Sequence, residues 1–323
     1  MNKNNSLEYP YPSRRMVTYG RNGMVATSQS LAAQAGLDIL KKGGNAVDAA
    51  IATAACLTVV EPCSNGIGGD NFALVWFKDK LHGLNSSGPS PRSIAIDVIE
   101  KLGHKEMPKY GWIPVTVPGT PAGWVELNQR FGALSLLETI QPAIDYAEKG
   151  FPLSPQTGSA WKRSFNIYSS CLKGEEYDSW FETFTPDKKA PEIGDVVYLK
   201  DHGKTLRDIG ETKGESFYRG ELAEKIDAYS KKYNGFLRKT DLESFKPQWV
   251  NPISVNYKGY DVWEIPPNGQ GLVALMALNI LKNDNLAPLS ETEKLHRQIE
   301  AISLKNASDC SLILDAVLLV HEG

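Results

Sequence analysis

The first strong pattern along the chain is helical. Leu31, Ala35 and Ile39 recur at four-residue spacing with Leu40 alongside, which marks one buried face. Ser28 or Ser30 can cap that helix, and Gly43-Gly44 ends it where the backbone turns left-handed. Asn45 then caps a second helix over residues 46–60, in which Asp48 is the only charge. A helix that is apolar nearly all round must be buried. The two therefore form an αα-hairpin inside the protein. Ahead of them, residues 23–27 (GMVAT) are a short apolar strand candidate.

Pro62 closes the second helix, and a Gly-rich loop follows over residues 64–71. Residues 72–77 (FALVWF) and 81–84 predict two strands around a polar Lys78-Asp79-Lys80 turn. Residues 85–91 (NSSGPSP) leave the sheet as a turn-rich loop. Residues 115–123 join a strand-like piece to a helix through a Pro/Gly loop, and residues 136–149 predict a helix interrupted or restarted at Pro142. Residues 151–215 are less patterned and predict peripheral helices and loops. Leu222, Ile226 and Tyr229 share one face of a helix over 221–234, which Gly235 stops. A hairpin over 253–265 turns at Lys258-Gly259, and residues 270–281 predict a further apolar helix. Helices and hairpins with little βαβ alternation indicate a layered α+β fold.

Composition removes several function classes. The 323 residues are 41% hydrophobic and 23% charged, ordinary globular proportions, with net charge −3 and no basic run for nucleic acid. Cys56 sits in an Ala-rich run and reads as a small buried hydrophobe, and Cys63, Cys171 and Cys310 are scattered. His82, His104, His202, His296 and His321 show no metal-ligand spacing, so neither metal nor cofactor is expected. No stretch approaches the ~18 apolar residues of a membrane span, and residues 1–19 lack the apolar core of a signal peptide. The expectation is a soluble, cytoplasmic protein without a membrane or nucleic-acid partner.

Local catalytic signatures are missing. Gly66-Ile67-Gly68-Gly69-Asp70 fails the dinucleotide fingerprint at Asn71 and precedes a strand where that fingerprint opens a helix. Its glycines read as structural, allowing positive φ and close backbone approach. Residues 118–123 (PGTPAG) read as a rigid turn before a helix. No serine, cysteine or threonine has a base beside it in sequence. Spacing alone leaves the reaction open.

Four motifs carry a resemblance. Residues 43–50 (GGNAVDAA), Val60-Glu61-Pro62 with residues 66–69 (GIGG), residues 117–123 (VPGTPAG) and residues 266–271 (PPNGQG) resemble, in order, elements of the γ-glutamyltranspeptidase family. The likeness covers roughly residues 22–302, the family's large-subunit portion, after an N-terminal extension over 1–21. It implies a four-layer αββα N-terminal-nucleophile hydrolase fold. It also implies a precursor that cuts itself into large and small subunits. The nucleophile is then a threonine at the new N-terminus of the small subunit, whose own α-amino group can act as the base. The reaction implied is acyl transfer from a γ-glutamyl or related acyl amide to water or an amine.

Two departures follow from the same resemblance. Asn85, Ser86 and Ser87 are the candidate substrate-binding residues, and Ser87 stands where glutamate-binding members place an arginine for the α-carboxylate. A hydroxyl does not replace a bidentate guanidinium. Arg92 lies nearby but follows Pro91 out of register. The loop is similar to that of the cephalosporin-acylase-like branch. At the other end, residues 295–302 resemble the helix before the family's cleavage region. Residues 303–323 read as an atypical tail, from a frameshift or premature stop or else a genuinely divergent C-terminus, with an apolar run over 311–320 (SLILDAVLLV) and no threonine segment after it. The expectation is a chain with no catalytic residue of its own, whose fold is incomplete without the small subunit as partner. The alternative is a catalytically inactive truncated remnant or a binding protein.

Overall fold

The computed structural model describes residues 17–303. The expected tail lies outside the described residues except for Ser303, and the expected extension lies outside them up to residue 16. The first helix, α1 (Ser30–Lys41), buries Ala32, Ala35, Gly36 and Ile39, the face that the four-residue spacing predicts. Neither serine caps it. Gln29 is extended, and its side-chain oxygen accepts from the backbone N–H groups of Leu31 and Ala32, the latter at 3.1 Å. Residues 23–27 are not a strand. Apolar residues favour an extended backbone, but a ladder needs a neighbouring strand. Val25 instead packs against α1, where its methyl groups fill the space left open at Gly36.

Gly43, at φ +104°, turns the chain into α2 (Ala46–Val60), capped by Asn45. The hairpin β1 (Asn71–Phe77) and β2 (Lys80–Ser86) is antiparallel from Asn71↔Ser86 to Phe77↔Lys80. Lys78 and Asp79 both take positive φ, +49° and +60°, the backbone that matches strand twist in a two-residue turn. After α3 (Ile96–Lys101), residues 115–117 join no ladder, and α4 (Thr120–Phe131) begins within the Pro/Gly turn.

The next helix, α5 (Leu136–Lys149), passes through Pro142 unbroken. An interior proline costs ~3 kcal/mol. Here Thr139, Ile140, Ala143 and Ile144 on the adjoining turns are buried, and that packing holds the helix together. Beyond it lie β3 (Phe151–Pro152), α6 (Pro155–Cys171), α7 (Asp178–Phe184), β4 (Val196–Val197) and α8 (Lys200–Thr212). This stretch is not peripheral: Phe151, Trp161, Leu206 and Ile209 are fully buried. Then come α9 (Glu215–Tyr218), α10 (Glu221–Lys232) and α11 (Lys239–Ser244). Asn234, at φ +55°, takes the left-handed position after α10, one residue before Gly235. The chain continues through β5 (Gln248–Val250), β6 (Ile253–Tyr257), β7 (Tyr260–Glu264), α12 (Gly271–Leu281) and α13 (Glu291–Ser303).

These elements form two compact units. The first comprises residues 17–65, 128–171 and 180–211. Its centre is the αα-hairpin of α1 and α2 packed on α5, with Ile51, Ala52, Ala55, Val59, Ile140 and Ile144 sealed from solvent. Asp48, fully buried, accepts from the N–H groups of Asn45 at 3.0 Å, Ala133 at 2.9 Å and Leu134 at 3.3 Å. The second unit comprises residues 66–127, 172–179 and 212–303. It holds a three-stranded sheet in the order β1-β2-β5, and the β6–β7 hairpin, on which α12 packs together with α13, Ala277, Leu281 and Ala301 clustering with Tyr257.

Candidate functional site

Three of the four sequence motifs meet at the end of β2. The Pro/Gly turn crosses the Gly-rich loop, and Gly119 and Thr120 both donate their N–H groups to the Gly69 carbonyl at 2.9 Å. The Thr120 hydroxyl donates to the Asp70 carbonyl at 2.9 Å. Gly88 donates its N–H to Asp70 Oδ1 at 3.1 Å, and Val117 donates to the Pro89 carbonyl at 3.0 Å. From the third motif, Asn268 Oδ1 accepts from Asn85 Nδ2 at 2.9 Å. Tyr218 fastens the turn from behind. Its hydroxyl donates to the Pro118 carbonyl at 2.7 Å and accepts from the Ala122 N–H at 3.1 Å. Burial pushes the Tyr218 phenol well above its usual range, which keeps it a neutral donor.

Backbone runs so close here that side chains are excluded. A Cβ on Gly119 would collide with the Ser86 carbonyl, and one on Gly88 with the Val117 carbonyl. Close approach is thus what these glycines provide. In the Gly-rich loop itself, Gly66, Gly68 and Gly69 do not take the expected positive φ; the turn closes by a Gly69 N–H to Gly66 carbonyl bond of 3.2 Å.

The three candidate substrate-binding residues divide. Asn85 and Ser87 line a cavity of about 450 Å³, within the range of ~300–1,000 Å³ usual for small-molecule sites. Ser86 is fully buried, and its hydroxyl donates to the Gly119 carbonyl at 2.7 Å. Side chains alternate along a strand. β2 runs through Ser86, so Ser86 faces away from the side that Asn85 and Ser87 share. That alternation was available in the sequence had the strand been extended two residues. Asn85 Oδ1 accepts from both the Ser87 N–H at 2.9 Å and the Ser87 hydroxyl at 2.8 Å, closing a small ring at the cavity mouth.

Sequence reasoning missed the rest of the lining. Arg92, Asp241, Lys246 and Gln248 also line the cavity. The last of these enters through β5, which pairs Gln248 with Asn85. A three-residue strand carries no readable periodicity. Asp241 is buried and committed, accepting from the N–H groups of Arg92 at 3.2 Å and Arg238 at 2.9 Å. Of the hydroxyls that line the cavity, Ser87 donates to the Asn85 amide oxygen and Ser244 to the Asp241 backbone carbonyl, neither of them a base. Burial pushes the Cys56 thiol up to about 12, in keeping with a buried hydrophobe. Among the described residues, no helix is long and apolar enough to cross a membrane.

The fold is that of the N-terminal-nucleophile hydrolases. The cephalosporin acylase of Bacillus halodurans is similar in structure, with a TM-score of 0.88 and 55% identity over 91% of this chain and 55% of that one. The γ-glutamyltranspeptidase of Helicobacter pylori gives a TM-score of 0.81 at 28% identity, covering 88% of this chain and 82% of that one. In sequence, a glutathione hydrolase-like YwrD proenzyme of Bacillus subtilis (strain 168) is 34% identical over 288 residues, 88% of this chain and 53% of the relative. The gamma-glutamyltranspeptidase family model matches residues 32–318. The chain belongs to the γ-glutamyltranspeptidase family and falls with its acylase-like branch. It spans about half the length of the curated relatives it matches.

Proposed function

We propose that this chain is the large-subunit portion of an acyl-transferring enzyme. A γ-glutamyl or related acyl amide is its donor, and water or an amine is its acceptor. The nucleophile is a threonine carried by a small subunit, whose free α-amino group takes the hydroxyl proton. The threonine oxygen attacks the amide carbon, the amine leaves with a proton, and the acceptor then releases the acyl group from the ester. In this reading Asn85 and Ser87 contact the acyl group, and Ser86 holds the loop that presents them. The observation that carries the proposal is the convergence of three family motifs on one polar cavity whose own hydroxyls have no base.

A second feature supports a small-subunit partner. Among the described residues β1 pairs only with β2, which leaves its other edge open, and Phe72, Leu74 and Trp76 stand exposed along one face. An apolar face on an open-edged strand is a surface made to be covered.

The test supplies what the chain is proposed to lack. Alone, it releases no p-nitroaniline from γ-glutamyl- or glutaryl-p-nitroanilide. Mixed with the small subunit of the acylase relative, it forms a complex on a sizing column and releases the dye. Release by the chain alone, failure to form the complex, or an inactive complex each overturns the proposal.

A further inference from the structure

Where glycine follows asparagine, the next main-chain nitrogen can attack the side-chain amide, because glycine puts no side chain in the way. The chain has four such pairs, at Asn22, Asn65, Asn234 and Asn268. The fold treats them differently. Beside Asn234, the Gly235 N–H is committed to the Ser230 carbonyl at 2.7 Å, and Gly235 is buried. Asn65 is half-buried, with its Nδ2 turned to the Glu61 carbonyl at 3.5 Å. Asn22-Gly23 and Asn268-Gly269 are exposed, and neither glycine N–H has a partner among the described residues. At Gly269 nothing lies within 4 Å of where a Cβ would stand.

Asn268 has one thing that Asn22 lacks. Its Oδ1 accepts from Asn85 Nδ2 at 2.9 Å, whereas no described residue donates to the Asn22 side chain. Asn85 is held for that task. Its backbone is paired with Gln248 across β2 and β5. Its own Oδ1 is taken by the Ser87 N–H and hydroxyl, which leaves the amide nitrogen facing Asn268. A fixed N–H aimed at a carbonyl oxygen stabilises the negative charge that an attack on that carbonyl creates.

We infer that Asn268 is a self-modifying site, at which Asn85 promotes spontaneous loss of the side-chain amide. The Gly269 nitrogen bonds to Asn268 Cγ, and charge gathers on Oδ1 beneath the Asn85 N–H. The Cγ–Nδ2 bond then breaks. Nitrogen leaves as ammonia, carrying the proton that the Gly269 N–H gave up, and a five-membered succinimide remains. Water opens that ring at either carbonyl. Opening at Cγ leaves aspartate at position 268, and opening at the main-chain carbonyl leaves isoaspartate. The aspartate can still accept from Asn85 and adds a negative charge to the cavity lining. Isoaspartate routes the main chain through the side chain, which lengthens the loop by one methylene and draws it off Asn85. No part of this chemistry needs the small subunit or an acyl donor.

Peptide mapping by mass spectrometry tests the site on the full 323-residue chain. The chain is incubated at mildly alkaline pH, quenched in acid and digested, and the amide, aspartate and isoaspartate peptides are quantified at all four pairs. Asn268 is expected to convert about three- to tenfold faster than Asn22, the gain from one placed donor on an exposed loop. Asn65 is expected to lag behind both, and Asn234 to be slowest. In urea the four rates are expected to converge, so each map also reports whether its chain is folded. Asn85→Asp keeps the size of the side chain and an acceptor for Ser87 but has no N–H to give. It is expected to bring Asn268 down to the rate of Asn22 and to leave the other three pairs unchanged. Asn85→Ala is expected to do the same without adding charge. An Asn268 that stays intact, or converts no faster than Asn22, refutes the inference. So does a rate at Asn268 that both Asn85 variants leave unchanged or raise, since the bond would then be idle or protective.

Discussion

At the scale of single residues, His202 is the most informative titrating group. Its Nε2 lies 3.1 Å from Thr58 Oγ1, and that hydroxyl already donates to the Ala55 carbonyl at 2.7 Å. The ring nitrogen is therefore the donor. Burial lowers the pKa of His202 from 6.5 to about 4. Above 6.5 the ring is neutral folded and unfolded, and pH has no effect through it. Between 6.5 and about 4 the unfolded chain takes up the proton and the folded chain does not, so stability falls as pH falls. Below about 4 the loss levels off. His202→Gln, which does not titrate, is expected to lose less stability than the wild type between pH 7 and pH 4.5. Urea midpoints of both chains at those pH values measure the difference, and equal losses would show that His202 is not buried as described. The sequence could not announce this role, because Thr58 is 144 residues away and neither residue sits in a metal or catalytic pattern. Gly43 and Asn45 were legible for the opposite reason: a helix end and a cap are satisfied within four residues of chain.

Among elements, the αα-hairpin was the clearest in sequence, and Asp48 shows what pattern alone leaves out. In the sequence it is only the lone charge of the second helix; in the structure it closes a capping box with Asn45. It also gathers the Ala133 and Leu134 N–H groups, which no periodicity in α2 foretells. Asp48→Ala removes the acceptor for three backbone N–H groups around a fully buried position. The expected cost is about 2–4 kcal/mol, read from urea unfolding of the circular dichroism signal. A change under ~0.5 kcal/mol would mean that water or a neighbour takes over those donors. Pro142 and residues 23–27 failed as local signals because packing in one case, and the absence of a pairing strand in the other, decided the outcome. In the site, Asn85 and Ser87 were found through a motif, whereas Gln248 belongs to the cavity because β5 pairs with β2, and Arg92 meets Asp241 there across 149 residues of chain.

For the whole molecule, each unit is assembled from three separated stretches of chain, an interleaving that no composition shift marks. The second unit carries the consequence. With its open β1 edge and exposed Phe72, Leu74 and Trp76, the purified chain is expected to self-associate. Trp76, 67% exposed, is the residue to change. Trp76→Lys places a charge on that face and is expected to shift the population toward monomer in light scattering behind a sizing column. A wild-type chain that elutes as a single monomer would show that the strand is protected by something else. A variant that associates as fully as the wild type would move the contact to another surface.

The bond between Asn85 and Asn268 has a temporal side. The partners are 183 residues apart, and β5 reaches β2 over a comparable distance. Contacts of such separation close late, since loop entropy must be overcome before they form. During synthesis at ~5–20 residues per second, a ribosome takes roughly 10–40 s to make the intervening chain. Throughout that interval the β1–β2 hairpin has emerged with neither β5 nor Asn268 to meet it. The cavity is therefore among the last features a nascent chain can complete, and the open hairpin is what a chaperone would find first.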